Sequence, residues 1–345
     1  MFGSSGTAGP LAPPRIPLPA GSGDSRTLLW SSSRVSNPLR VIFMGSPAFA
    51  VPSLVRLLHD GHVLPLVVTQ PDRPAGRGQA LRPPQVKLVA EQHDLRLLQP
   101  EKLNDPKVLG ALGAARPEVI VVAAFGQFLP RSVRELPPLG CINVHASLLP
   151  KYRGAAPINW ALIGGETETG VTIMRIEEGM DAGAMLLQRA IPIAPEDDAG
   201  TLHDRLAELG ASALADALRM LSRGEATWIL QDETRATRAP KLRDEDCRLE
   251  LVGDPQRIVN RIRGLSPSPG AYLVWRGHRL RVLRAERRPA AAPPATICGL
   301  ERQALVCGTG TGALALLEVQ PEGKRRMAGA EFARGQRLRA GDQLA

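Results

Sequence analysis

A carboxamide and an imidazole stand two residues apart at the end of an apolar run, GCINV (140–144), which predicts a buried strand. The spacing of Asn143 and His145 puts both side chains on one face if the strand continues. An Asn amide can donate hydrogen bonds to a carbonyl oxygen that gains negative charge, and a His can take or relay a proton near neutral pH. The pair indicates a catalytic site, although a lone Asn or His is more often a structural polar group with its hydrogen bonds satisfied.

Such a site needs a third group, an acid that fixes the imidazole. Asp181 lies between glycines in GMDAG (179–183), in a loop that joins two predicted strands, GVTIMRI (170–176) and AMLLQRAIPI (184–193). A loop with this backbone freedom serves a site better than it serves a core. We therefore expect Asp181 to orient His145; the alternative is an ordinary turn aspartate.

The elements that would position these residues alternate between strand and helix. The predicted strands before the site are LRVIFMG (39–45), HVLPLVVT (62–69), VIVVAA (119–124) and GCINV. Ser46 and Pro47 predict the N-cap and first turn of a helix that reaches about Leu58, and residues 201–222 predict a long amphipathic helix. The pattern predicts an α/β fold with a Rossmann-like, open, mostly parallel sheet, whose site lies beyond the carboxyl ends of the strands.

The turn after the first strand excludes one common use of this fold. GSPAFA keeps a single glycine where a dinucleotide-binding loop needs three. Four scattered cysteines without a CxxC pair argue against a zinc site and a disulfide framework, and favour a reducing compartment. No run of about 18 apolar residues occurs, so we expect no membrane span.

Composition divides the chain further. Residues 1–38 are rich in Gly, Ser and Pro, and we expect a disordered leader or an organellar transit peptide. Residues 39–222 are the expected catalytic domain and 223–240 a linker. Short strands and Gly-containing turns in 241–345, among them the hairpin turn Arg276-Gly277-His278, predict a smaller β-barrel domain of the oligonucleotide-binding (OB) type.

The positive charge of the chain is concentrated in that last region. Residues 1–240 carry 24 Lys and Arg against 23 Asp and Glu, a net +1, whereas residues 241–345 carry 19 against 11, a net +8. A basic surface that only confers solubility is the plain alternative. Clustered Lys and Arg favour a polyanion-binding domain, because they bind phosphates through counterion release. With only 3% aromatic residues, a nucleic acid would be bound by its backbone and shape.

The stretches CINVHASLLPKYRGAAPINWAL and GVTIMRIEEGMDAG together resemble the folate-dependent formyltransferases. The resemblance is strongest to the bacterial branch that acts on methionyl-tRNA, and it extends from IFMGSPAFA through KLRDED and SPSPGA, over roughly residues 39–345. It implies transfer of a formyl group from 10-formyltetrahydrofolate to the α-amine of methionyl initiator tRNA. It also implies that Asn143, His145 and Asp181 are the catalytic residues, with no metal.

The resemblance assigns binding residues as well. Ser147, Leu148, Leu149 and Pro150 match a folate-contacting ledge, although the leucines could equally pack in the core. The loop QPDRPAGRGQALRPP (70–84) matches an insertion that meets the acceptor end of the tRNA; its composition alone favours a solvated flexible loop. The candidates for tRNA binding are Arg73, Arg77, Arg82 and Lys87, in and just after this loop, and Lys241 and Arg243 near the linker.

The chain departs from the family pattern at two places, and two other functions stay open. Ser268 stands where relatives usually carry an aromatic residue, and Leu249-Glu250-Leu251 replaces an acid-Trp pair; both departures lie in the last domain. The chain could be another 10-formyltetrahydrofolate-dependent formyltransferase or hydrolase that acts on a small amine or on water, or an RNA-binding module without activity. We expect a monomer in the bacterial cytoplasm, or in an organellar matrix or stroma if the leader is a transit peptide.

Overall fold

The computed structural model describes residues 37–75 and 80–344. A mixed sheet of seven strands, in the order β5-β2-β1-β6-β7-β8-β9, forms the first part. A short hairpin, β3 with β4, stands apart from it. The strands are β1 (Arg40–Gly45), β2 (Val63–Val68), β3 (Arg73–Ala75), β4 (Ala80–Arg82), β5 (Leu97–Leu98), β6 (Val119–Ala123), β7 (Cys141–His145), β8 (Glu168–Arg175) and β9 (Met185–Pro192).

The direction of pairing changes at β7, the strand that carries Asn143 and His145. From β5 to β7 every pairing is parallel, whereas β8 runs antiparallel to β7, and β9 antiparallel to β8. The expected open, mostly parallel sheet is therefore confirmed. Thr172 lies opposite His145, but Arg175, at the end of β8, lies opposite Ile142. The turn after β8 consequently starts at the far end of β7 from His145.

Apolar side chains on both faces of the sheet explain why helices cover both. Along β1, Val41 and Phe43 point into one core, and Ile42 and Met44 into the other. Leu54 and Leu206 of the helices join the first core, whereas Leu112 joins the second. The helices are α1 (Val51–His59), α2 (Gln85–Gln92), α3 (Pro106–Ala114), α4 (Arg131–Arg134), α5 (Pro157–Ile163) and α6 (Ala199–Ser222).

The predicted N-cap at Ser46 is wrong. A 3-10 turn at Ala48–Ala50 precedes α1, and no side chain caps it. The Ser46 hydroxyl instead accepts a hydrogen bond from the backbone N–H of Gln70 at 2.9 Å, which ties the ends of β1 and β2 together. A tertiary contact thus takes the group that local pattern assigns to the helix.

An antiparallel sheet in the order β10-β11-β14-β13-β12, with β15 on β14, surrounds a separate core and confirms the expected small barrel-like unit. The hairpin turn is also as predicted, because Arg276 and Gly277 both have positive φ, 49° and 79°. The elements of this part are α7 (Asp244–Cys247), α8 (Pro255–Leu265), β10 (Ala271–Trp275), β11 (His278–Arg288), β12 (Ile297–Leu300), β13 (Leu305–Gly308), β14 (Ala313–Pro321), β15 (Met327–Ala328) and α9 (Gly329–Gly335).

The two parts meet where α5 packs on α8. The Asn159 amide donates to the carbonyl oxygen of Gly264 at 2.7 Å, and a Cβ at Gly264 would lie 2.6 Å from a side-chain carbon of Ile163. The segment 223–240 also contacts the first part, through isolated bridges from Ile229 to Met185 and from Arg238 to Arg153. The division at 222 and 240 stays a prediction. In the described ranges, no helix has the length and apolar character to cross a membrane.

Candidate active site

The strand β7 brings Asn143 and His145 to one face near its carboxyl end, as predicted. Asn143 lies between Val122 of β6 and Met174 of β8, and its side chain is half-buried. His145 is buried, with 5% of its side chain exposed. Both residues therefore belong to the middle of the sheet, where the direction of pairing changes.

The two ring nitrogens of His145 have different partners. Nε2 lies 3.0 Å from the carbonyl oxygen of Tyr152. A carbonyl oxygen can only accept, so Nε2 carries the hydrogen of this bond. Nδ1 faces the carboxylate Oδ2 of Asp181 at 3.6 Å, beyond ordinary hydrogen-bond length. Nδ1 is thus the nitrogen that can exchange a proton with a substrate, with a carboxylate close enough to stabilise positive charge on the ring.

Asp181 reaches His145 from the turn between β8 and β9. Because this turn starts beside Ile142, it must fold back over β7 to place the carboxylate near His145. Asp181 has a positive φ of 52°, and its Oδ2 accepts a hydrogen bond from the backbone N–H of Gly154 at 2.9 Å. The structure therefore brings the three sequence-predicted catalytic residues to one region of the sheet.

The carboxamide of Asn143 is the group left to bind a ligand. Within residues 37–75 and 80–344 it forms no hydrogen bond to another protein group. Because the amide is only half-buried and its hydrogen-bonding groups are not used by the described residues, its N–H donors and oxygen are available to a bound molecule. Donors placed in advance at a carbonyl oxygen are what acyl-group transfer requires. No cluster of three or more His, Cys, Asp or Glu side chains suited to a metal occurs among the described residues.

The SLLP segment follows β7 and is more buried than a ligand-facing ledge requires. Ser147, Leu149 and Pro150 are buried, and Leu148 is half-buried against Gly170 of β8. The Ser147 hydroxyl donates to the carbonyl oxygen of Lys151 at 2.6 Å, so it is used within the turn. Core packing, the alternative for the leucines, describes Leu149 in this structure, and the role of the segment in folate binding stays a prediction.

A cavity of about 380 Å³ lies beyond the carboxyl ends of β2 and β6, the two strands that flank β1. It is lined by Gln70, Gln127 and the exposed Phe128, with residues 101–104 on its other side. None of the three catalytic candidates lines it.

In and just after the loop 70–84, some basic side chains are exposed and one is partly buried in an ion pair. Arg73 and Arg82 lie opposite each other on the β3–β4 hairpin and are exposed; Arg73 pairs with Glu101 at 2.8 Å. Lys87 lies on α2 with its ammonium 2.7 Å from the Asp72 carboxylate and only 19% of its side chain exposed. Arg77 lies outside the described residues. The hairpin therefore presents arginines, whereas Lys87 supports its base.

The two candidates near the start of the second part are both exposed. Lys241 directly follows the segment that contacts the first part, and Arg243 is 74% exposed. The Arg243 guanidinium pairs with Glu245 at 2.7 Å and lies 3.8 Å from Asp246. Any contact of Arg243 with a polyanion would compete with these carboxylates.

The sequence did not indicate the groups that bond the catalytic candidates or the groups that hold the turn after β7. The carbonyl of Tyr152 and the N–H of Gly154 are backbone groups, which leave no mark in the sequence beyond the neighbouring RG dipeptide. Thr172 and Gln188 were missed too: Thr172 donates to the Ser147 carbonyl at 2.7 Å, and Gln188 donates to the Leu149 carbonyl at 2.8 Å. Their place opposite the turn depends on the register of β8 and β9, which periodicity alone does not specify.

Known proteins are similar to this chain in both sequence and fold. A family model described as formyl transferase matches residues 39–218, and one described as formyl transferase, C-terminal domain, matches residues 241–337. A methionyl-tRNA formyltransferase of Geobacter sulfurreducens is 46% identical over 306 residues, 89% of this chain and 96% of the relative. One from Halalkalibacterium halodurans is 47% identical over 309 residues, with the same two coverages.

Solved structures agree on the fold. HypX from Aquifex aeolicus, in complex with tetrahydrofolic acid, superposes with a TM-score of 0.60 at 17% identity, over 86% of this chain and 47% of that one. An N-formyltransferase from Helicobacter canadensis gives a TM-score of 0.60 at 16% identity, over 82% of this chain and 99% of that one. The family models cover most of both parts of the chain, and the relatives match it nearly end to end. The chain belongs to the formyl transferase family.

Proposed function

We propose that this protein transfers the formyl group of 10-formyltetrahydrofolate to the α-amine of methionyl initiator tRNA, giving formylmethionyl-tRNA for translation initiation. The observation that carries the proposal is the 46–47% identity to methionyl-tRNA formyltransferases across 89% of the chain, the basic second part included. We expect it to act as a monomer, in the bacterial cytoplasm, or in an organelle if residues 1–38 are a transit peptide.

The catalytic roles follow from the donors and charges at β7. When the amine attacks the formyl carbon, the formyl oxygen gains negative charge, and the unpartnered Asn143 amide can donate to it. His145, with Nε2 committed to the Tyr152 carbonyl, offers Nδ1 for the proton that the attacking nitrogen must lose. Asp181 stabilises the charged imidazole and keeps its ring oriented.

The substrates would be held by separate parts of the chain. The Ser147–Pro150 segment follows the catalytic strand and would form one wall for the folate, chiefly through the half-buried Leu148. Arg73 and Arg82 on the hairpin, Arg77 between them in the sequence, and Lys87 at the hairpin's base would contact the acceptor end of the tRNA. Lys241, Arg243 and the net +8 of the second part would hold its phosphate backbone.

One assay tests the proposal. The purified protein is mixed with 10-formyltetrahydrofolate and methionyl initiator tRNA, and formylated methionine is measured with time. We expect turnover that depends on both substrates. Absence of product, together with formyl transfer to a small amine or release of formate by hydrolysis, would contradict the proposal and favour the alternative folate-dependent activities.

A further inference from the structure

The turn that carries Asp181 needs support from outside its own strands. The two ends of the turn lie close together. The backbone N–H of Arg175 donates to the carbonyl oxygen of Ala184 at 2.8 Å, and a Cβ at Gly183 would lie 2.0 Å from the carbonyl oxygen of Arg175. Beyond this base the turn folds back over β7, and Met180, next to Asp181, is 74% exposed. A catalytic carboxylate on such a turn stays in place only if another group holds the turn.

Gln231 supplies that contact from the segment after α6. Its side-chain Nε2 donates to the carbonyl oxygens of Asp181 and Gly183, both at 2.8 Å. A primary amide has two N–H donors, so one half-buried side chain holds the turn at the catalytic residue and two residues later.

Arg153 fixes the orientation of the Gln231 amide. Its Nε donates to Oε1 of Gln231 at 2.9 Å, and its two terminal nitrogens donate to the Glu233 carboxylate at 2.8 and 2.7 Å. Only 12% of the Arg153 side chain is exposed. Since a guanidinium can only donate, Oε1 must face Arg153 and the NH₂ group must face the turn.

The same segment holds the other partner of His145. The Tyr152 N–H donates to the Thr237 hydroxyl at 2.8 Å, and the Tyr152 phenol donates to Glu166 at 2.8 Å. Burial, reinforced by Glu166, raises the pKa of this phenol, which therefore remains a donor. Tyr152 is thus held at its backbone and at its ring while its carbonyl accepts from His145.

We propose that Gln231, oriented by Arg153, is a positioning residue for catalysis: it holds the β8–β9 turn across β7 so that the Asp181 carboxylate faces His145. The reaction it serves is the proposed formyl transfer, and in that respect the inference rests on the proposed function. The contact is made by a residue 50 positions from Asp181, in a segment expected only to link two domains.

The test compares Gln231→Met and Gln231→Glu with the unaltered full-length protein. Methionine has a similar length without hydrogen-bonding groups. Glutamate keeps an acceptor for Arg153 but turns an oxygen toward two carbonyl oxygens. Gln256→Met is the matched control, because Gln256 is a half-buried glutamine of α8 that bonds Asn260. For each protein, kcat and both KM values are measured, with amide hydrogen exchange at Gly154, whose N–H bonds Asp181.

In both Gln231 variants we expect kcat to fall by about tenfold to a hundredfold with little change in either KM, because the carboxylate is displaced while the substrate surfaces remain. We also expect the Gly154 amide to exchange faster, as in Asp181→Ala, while Gln256→Met matches the parent protein. Wild-type kcat in either variant, or wild-type exchange at Gly154, would overturn the proposal. If the parent protein itself does not formylate methionyl-tRNA, the proposed function fails, and exchange at Gly154 still decides whether Gln231 holds the turn.

Discussion

At the scale of single residues, some polar groups of the site are held by other protein groups and one is available to a ligand. His145 gives one ring nitrogen to a backbone carbonyl and turns the other toward Asp181. Asn143 has no such commitment to the described protein groups. The imidazole is therefore held in orientation and the amide is left open, which fits a reaction that needs a fixed proton acceptor and a donor for a growing negative charge.

We predict that Asn143→Ala and His145→Ala each lower kcat by about a hundredfold or more, because removal of one oxyanion donor costs about 10²–10³ in rate. Affinity for methionyl initiator tRNA, measured by filter binding, should stay near that of the parent protein, since neither side chain lies on the basic surfaces. His203→Ala, at a partly exposed histidine of α6, is the control. A variant that kept its rate and lost tRNA affinity would contradict these roles.

Part of this site could be predicted from the sequence. The spacing of Asn143 and His145 at a strand end indicated a shared face, and Asp181 stood out because glycines surround it. The Tyr152 carbonyl could not be foreseen, since every residue has one and only the fold selects which is used. Gln231 carries no local pattern, and its contact depends on how the chain returns after a helix of 24 residues.

At the scale of elements, the β3–β4 hairpin carries exposed arginines, and a lysine of the following helix α2 is paired at its base. Arg82 is exposed and forms no ion pair with the described residues, whereas Lys87 is committed to Asp72 at the base of the hairpin. The bond from Gln99 to Asp72 and the Lys87 ammonium together lower the pKa of the Asp72 carboxyl. The base of the hairpin is therefore a fixed charge pair, whereas the Arg82 guanidinium has no ion-pair partner among the described residues and is available to a phosphate.

We predict that Arg77→Ala and Arg82→Ala raise the KM for methionyl-tRNA several-fold and leave folate affinity unchanged, because each removes a positive charge from the loop that we propose binds tRNA. Lys87→Ala should instead lower the unfolding temperature and affect the KM for tRNA less. Steady-state kinetics with each substrate varied, together with thermal unfolding, separates the two classes. Loss of folate affinity in Arg77→Ala with intact tRNA kinetics would show that the loop is misassigned.

Two glycines in helices offer a matched test of packing. Gly210 of α6 lies against the sheet, where an added Cβ would be 2.8 Å from Cγ1 of Val144 on β7, whereas Gly110 of α3 has open space around it. We predict that Gly110→Ala raises the free energy of unfolding by about 0.5–1 kcal/mol through helix propensity. Gly210→Ala should lower it by about 1 kcal/mol, because overpacking by about 1–3 kcal/mol exceeds the same gain.

Chemical denaturation of the two glycine variants measures both values. Equal stabilisation would mean that α6 packs less closely on β7 than the structure indicates. Since Val144 lies between Asn143 and His145, Gly210→Ala should also reduce turnover by shifting the catalytic strand, and Gly110→Ala should not.

At the scale of the whole molecule, the excess positive charge and the proposed catalytic residues lie in different parts of the chain. The proposed catalytic residues lie on β7 and on the β8–β9 turn, in a nearly neutral region, and the excess positive charge belongs to the antiparallel unit after residue 240. On β11, Arg281 and Arg287 are exposed, and neither forms an ion pair with the described residues. Arg281 and Arg287 are therefore available to bind phosphates.

We predict that tRNA affinity falls steeply with salt, and that Arg281→Gln and Arg287→Gln each weaken binding and lower the slope of log K against log salt by about one. Arg131→Gln, at an exposed arginine of α4 paired with Glu135, is the control and should leave the slope unchanged. Fluorescence titrations at several salt concentrations give these slopes. A slope equal to that of the parent protein would place the tRNA on another surface.

The order of helices and strands could largely be predicted from the alternation of apolar runs. The contacts between the first part, the segment 223–240 and the second part could not. Nothing in residues 223–240 showed that Ile229 pairs with Met185 of β9 or that Arg238 pairs with Arg153, because polar, weakly periodic segments look alike whether they pack or not. Likewise, the direction of β8 decides where the Asp181 turn begins, and local pattern does not specify strand direction.

The segment that holds Tyr152 and the Asp181 turn is also the covalent bridge to the basic unit. Its side chains Arg235 and Arg238 are exposed, so trypsin can cut there while both cores stay closed. A protein cut after Arg235 would keep Gln231 joined to α6, but Thr237, whose hydroxyl accepts from the Tyr152 N–H, would stay joined only to the basic unit. Turnover should then fall before unfolding is detected, so the enzymatic rate reports whether this junction is intact.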